Sequence, residues 1–227
     1  MDFLKGEILI INKPLNWTSF DVVKKIRYHL KKKLKLKKIK VGHAGTLDPL
    51  ATGVLVICTG KKTKEITSLI NDDKAYEGII QLGATTPSFD LETSVDNIYP
   101  TDHITKNKIK ELEVLFIGEY LQEPPIFSAK RIDGKRAYDL ARKGEEVKLK
   151  KAMIKINNLS LNLIDNNKIS FKIICSKGTY IRALARDIGV KLDSGAHLVQ
   201  LVRTASGCFN LSDAKDINTC LSIIDSI

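Results

Sequence analysis

No two of the four cysteines, Cys58, Cys175, Cys208 and Cys220, stand close enough to form a CxxC pair. The spacing indicates neither a zinc site nor a disulfide framework. Two of the four fall in apolar strand-like runs, so buried free thiols are the expected state. Nothing at the N-terminus has the apolar length of a signal peptide, and no stretch is long enough to span a bilayer, so a cytoplasmic location is expected. Internal repeats and low-complexity linkers are missing as well. A single domain over residues 1–227 is the economical expectation, with ample length for a real core. Acid is absent where base is most concentrated: from Lys24 to Lys40 there are ten Lys or Arg and no Asp or Glu, within a chain of net charge +11. A concentrated basic region implies a polyanionic partner, either nucleic acid or an anionic membrane.

What the chain does have is one stretch of peculiar local chemistry, Gly42-His-Ala-Gly-Thr-Leu-Asp-Pro-Leu-Ala-Thr-Gly-Val-Leu55. Gly42, Gly45 and Gly53 open backbone conformations closed to other residues and allow a ligand to approach closely. Pro49 keeps Asp48 off the helical region, so that carboxylate belongs on an extended or turning backbone. The apolar run Val54 to Cys58 reads as a strand buried on both faces. Spacing alone leaves two readings of Asp48: a turn-starting carboxylate that accepts backbone N–H bonds, or a reactive group steadied by a rigid strand.

Elsewhere, Gly6 to Asn12 reads as a buried strand ended by Lys13-Pro14. Ser19 is the expected N-cap of a helix whose stripe is Phe20, Val23, Ile26 and Leu30, with Asp21 in its first turn. Further helices are expected over Lys61–Ile70, Thr105–Leu115 and Tyr180–Leu192. On the last of these Arg182 and Arg186, four apart, share a side. Lys74 to Leu82 reads as a strand ending at Gly83. The alternating runs Leu159–Leu163 and Ile169–Cys175 flank Asp165-Asn166-Asn167 and predict a hairpin. Two last strand-like runs cover His197–Arg203 and Cys208–Leu211. Pro124-Pro125 opens a Lys- and Arg-rich segment, 124–151, with a short helix expected over Lys135–Lys143. The segment reads either as a basic, mobile arm or as a plain surface insertion. Strands and helices mix without strict βαβ alternation, which predicts an α+β fold with a mixed, mainly antiparallel sheet flanked by helices.

Four stretches together resemble the TruB family of tRNA pseudouridine synthases: Lys13–Asp21, Gly42–Leu55, Pro124–Gly144 and Cys175–Gly207. Lys74-Ala-Tyr76, Pro-Pro-Ile-Phe-Ser-Ala-Lys130 and Cys-Ser-Lys-Gly-Thr-Tyr-Ile-Arg182 match as well. The resemblance implies a pseudouridine synthase fold with 124–151 as an RNA-gripping thumb. It also implies isomerisation of uridine-55 in the T-loop of tRNA, with no metal or organic cofactor, and turns the reading of Asp48 toward the catalytic carboxylate. Arg182 would be its charge partner, Tyr76 and Tyr180 would face the flipped uracil, and Leu201 would close an apolar wall. His43 would position substrate; Lys13, Arg203, Lys130 and Arg131 would meet phosphates. The expected partner is the T-stem-loop of tRNA, met by a monomer with no obligatory protein partner and no membrane.

The chain departs from the family pattern in places. Asn16 stands where glycine is common, and asparagine tolerates a left-handed backbone. Val202 stands where many relatives have arginine. The chain ends at Ile227 without the C-terminal PUA-type domain of many relatives, as a short form or a truncation would. Two further readings share the basic patch: an RNA-binding or RNA-folding module, and the catalytic subunit of a guide-RNA particle.

Overall fold

The computed structural model describes residues 1–128, 131–132, 135–136, 149–165 and 167–226. In chain order the first elements are β1 (Ile8–Lys13), α1 (Ser19–Lys33), β2 (Val41–His43), β3 (Ala51–Thr59), α2 (Ile66–Asn71) and β4 (Lys74–Leu82). Next come β5 (Ala84–Thr85), β6 (Asn97–Ile98), α3 (Lys106–Phe116), β7 (Gly118–Gln122), β8 (Arg131–Ile132) and β9 (Lys135–Arg136). The last are β10 (Ala152–Asp165), β11 (Lys168–Cys175), α4 (Ile181–Lys191), β12 (Ala196–Ser206), β13 (Phe209–Asn210) and α5 (Ile217–Asp225). The chain forms two compact units, residues 1–77 with 201–227, and residues 78–200. β4 and β12 each run through the boundary.

In the first unit β3 is the central strand. It pairs antiparallel with β1, Ile8 opposite Cys58 through Lys13 opposite Gly53, and antiparallel with β2. Its start pairs parallel with β12, Leu201 opposite Ala51 and Arg203 opposite Gly53. Both faces of β3 are covered, as its unbroken apolar run requires. Leu55 and Ile57 join Leu9, Ile11, α1 and α5 in one core, whereas Val54 and Val56 pack with Ile8, Ile10, Ile66 and Phe209 in another.

Thr18, not Ser19, caps α1: its Oγ1 accepts from the Asp21 N–H and Asp21 accepts from the Thr18 N–H, a reciprocal capping box. Ser19 lies inside the helix and is buried for another purpose, given below. The buried stripe is Val22, Val23, Ile26 and Leu30, and Phe20 stands outside it, 51% exposed. The lysines that follow α1 are exposed, while Leu34, Leu36 and Ile39 turn to the core.

In the second unit β10 pairs antiparallel with both β7 and β11, and α3 packs on β10 through the side that buries Ile109, Leu112 and Phe116. The mixed, mainly antiparallel pairing with flanking helices is the α+β arrangement that the patterning predicts. Of the expected 135–143 helix, Lys135 and Arg136 are instead strand, paired with Ile132 and Arg131. Residues 137–143 lie outside the described residues.

Candidate active site

The Asp48 loop is held almost residue by residue. Ala44 donates its N–H to Val56 O at 2.9 Å, and Asp48 O accepts from the Ala51 N–H at 3.1 Å. Ser19 grips Leu47 at both backbone groups: its Oγ accepts from Leu47 N–H at 2.8 Å and donates to Leu47 O at 3.1 Å. This is why a hydroxyl residue stands buried one place inside α1. Pro49 O accepts from the Asn16 N–H at 2.9 Å, and Asn16 has φ +64°, the left-handed conformation its glycine-like place demands.

Two cations expected at phosphates are buried under this loop instead. Lys13 is 0% exposed and its Nζ donates to Pro14 O at 2.9 Å, Trp17 O at 2.6 Å and Pro49 O at 3.3 Å. Those three bonds match the three ammonium donors. Burial pulls the Lys13 pKa down to about 8 against the raising charge of Asp48, and Arg203 adds to the lowering. Arg203 is 1% exposed; Nε donates to Val54 O at 2.7 Å, Nη2 to Gly45 O at 3.1 Å and Nη1 to Thr46 O at 3.5 Å. Where phosphate contacts are expected of them, Lys13 and Arg203 brace the loop backbone in this structure.

The same unit carries three of the other residues singled out around Asp48, which is itself half-buried. His43 ends β2 opposite Ile57, half-buried, with no hydrogen-bond partner for its buried Nδ1 among the described residues. Burial, and then the charge of Arg203, lower its pKa, which favours the neutral ring. Tyr76 is half-buried on β4, and Leu201 is 8% exposed, opposite Ala51.

Tyr180 and Arg182 belong to the second unit. Tyr180 is half-buried at the N-cap position of α4, and Arg182 lies in the first turn, 4% exposed. Arg182 donates to Phe127 O at 2.9 Å and Ser88 O at 3.2 Å, and its Nε lies 3.6 Å from Asp90 Oδ2. Sequence reasoning misses Asp90. By pattern it is one polar residue among several between Thr85 and Thr93, yet it is 4% exposed and pairs the buried guanidinium. Arg186, on the same side of α4, donates to Glu123 O at 3.1 Å. The two arginines thus tie down the carbonyls on either side of Pro124-Pro125, where the basic segment begins. Arg131 begins the short strand β8. Lys130 lies outside the described residues.

A family model described as TruB family pseudouridylate synthase, N-terminal domain, matches residues 31–181. A tRNA pseudouridine synthase B of Phocaeicola vulgatus is 57% identical over 223 residues, covering 98% of this chain and 92% of that protein. One of Bacteroides fragilis is 55% identical over 216 residues, covering 95% and 93%. Among solved structures, the crystal structure of a Cbf5-Nop10-Gar1 complex is similar at a TM-score of 0.72 and 28% identity. It covers 97% of this chain and 54% of that one, so this chain spans about half the length of that neighbour. By sequence and by fold, the chain belongs to the TruB family of pseudouridylate synthases.

Proposed function

We propose that the chain isomerises uridine-55 in the T-loop of tRNA to pseudouridine, with Asp48 as the catalytic carboxylate. The reaction conserves atoms and electrons. The N1–C1′ bond breaks, C5 joins C1′, and the proton displaced from C5 is balanced by one taken up at N1. A stacked base is out of reach, so the uridine is flipped out, at a cost of about a few kcal/mol in lost stacking. His43, Tyr76, Tyr180 and Leu201 receive it, Arg182 supplies charge to Asp48, and Arg131, Lys130 and the 24–40 lysines meet phosphates. Residues 1–227 act as one catalytic domain, with 124–151 as its RNA-gripping arm, in the cytoplasm and as a monomer.

The observation that supports this most is the bracing of Asp48. Its loop is fixed by Ser19, Lys13 and Arg203 through backbone groups, the preorganisation that a single carboxylate needs to act on a flipped nucleotide. The tRNA substrate is favoured over a guide-RNA particle by relatives named tRNA pseudouridine synthase B, two of which match at 57% and 55% identity over 92% and 93% of their length.

The test is nucleotide-resolution mapping of pseudouridine in a T-stem-loop transcript incubated with the purified chain alone. Asp48→Asn is expected to bind the transcript and yield no product. Product from the variant would remove Asp48 from its role, and dependence on added protein or guide RNA would favour the particle.

A further inference from the structure

Helix α1 carries an outer face that packing does not explain. Phe20, Lys24 and Tyr28 stand four apart in a line about 12 Å long. Phe20 is 51% and Tyr28 67% exposed, in a chain where aromatics make up only 6% of residues. Lys24 Nζ lies 5.2 Å from the Phe20 ring centroid and the Arg27 guanidinium 6.0 Å from it. Beside this line an open groove of about 440 Å³ is lined by Asn16, Trp17, Asp21, Lys24, Lys25 and Tyr28. Rings interleaved with ammonium groups match a nucleotide in both of its parts: the rings take the face of a base, the lysines a phosphate. The one acid, Asp21, is engaged by Thr18 N–H and Oγ–H at 3.0 and 2.5 Å as part of the helix cap.

The groove is wired to the Asp48 loop. Lys13 Nζ holds Trp17 O and Pro49 O together, and the Asn16 N–H donates to the same Pro49 carbonyl. A nucleotide lodged here therefore lies beside the loop that carries Asp48.

We propose that this groove is a second nucleotide subsite, stacking an unpaired base of the bound RNA on Tyr28 and Trp17 with its phosphate on Lys24 and Lys25. The inference rests on the chain being an RNA-modifying enzyme, and the experiment separates the two.

Trp17 is the only tryptophan of the chain, so its fluorescence reports on the groove directly. Titration with oligouridylate is expected to quench it saturably. Tyr28→Ala and Lys24→Ala should each raise the half-quenching concentration, the former by about 5-fold or more, the lower end of the loss for one stacked base. Both side chains are exposed, and circular dichroism confirms that the variants fold. Absent quenching, or quenching that both variants leave unaltered, overturns the subsite. Pseudouridine formation by the unsubstituted chain is scored separately. Product without quenching removes the subsite and leaves the function; variant-sensitive quenching without product keeps the subsite and removes the function.

Discussion

Gln122 holds Tyr180 by both ends of its amide: Oε1 accepts from the Tyr180 N–H at 2.9 Å, and Nε2 donates to the Tyr180 carbonyl at 3.1 Å. The second Nε2 hydrogen goes to Tyr120 Oη at 2.7 Å, and Gln122 is 1% exposed. Gln122 thus sets the main chain at the start of α4, two residues before Arg182. Gln122→Ala removes both hydrogen bonds to the Tyr180 backbone, at about 0.5–1.5 kcal/mol each, while the Tyr180 carbonyl keeps the Leu184 N–H. The expected result is lower stability in urea and a larger loss of turnover than of RNA affinity. A change confined to Kd would show that Tyr180 does not need this clamp.

Gly53 has φ +101°, and a Cβ built there would lie 2.2 Å from Arg203 O. Gly53→Ala must both strain the backbone, at about 1–3 kcal/mol, and push β12 away from the loop. Expected are a Tm lower by roughly 4–8 °C and reduced pseudouridine formation. Unchanged melting would mean that the parallel pairing yields freely.

Lys13 gives the molecule a pH dependence of definite sign. Its folded pKa, about 8, lies below the ordinary lysine value of 10.5, so between the two the unfolded chain binds more protons. Its contribution is therefore least favourable below pH 8 and becomes more favourable as pH rises toward 10.5. Lys13→Met takes the ammonium from three carbonyls, of which Pro49 O keeps the Asn16 N–H, and is expected to be less stable at pH 7 by about 2–4 kcal/mol. The deficit should widen from pH 8 to pH 10 in denaturant titrations. A deficit that narrows over that range would refute the lowered pKa.

Lys31, Lys32, Lys35 and Lys37 are exposed. Alanine at these four should raise the Kd for tRNA and flatten its dependence on salt, by about 0.7–0.9 in log–log slope for each phosphate no longer neutralised. An unaltered slope would mark the run as solubilising only.

Much of the fold is legible in the sequence because its signals are local. β4 and the β10–β11 hairpin follow directly from apolar runs and alternation, and Thr105 caps α3 as a helix beginning there requires. Misreadings arise where two residues of one chemistry compete. Thr18 and Ser19 are both cap formers, and the Thr18–Asp21 spacing favours Thr18. Helical spacing assigns Phe20 to the core because it counts any large ring as apolar.

The site is legible as a motif, but its supports are not. A lysine or arginine beside such a motif suggests a ligand's phosphate. That Lys13 and Arg203 turn inward to backbone carbonyls depends on the pairing of β3 with β1 and β12, which no local pattern encodes. Asp90 escapes for the same reason, since its partner lies on α4, far along the sequence.

The brace between Arg203 and Val54 spans 149 positions of the chain. On a ribosome moving at about 5–20 residues per second, the codon for the arginine is reached roughly 7–30 s after that for the valine. The motif that carries Asp48 is thus made early and braced late, so a nascent chain has little chance to act on RNA before Arg203 has been added.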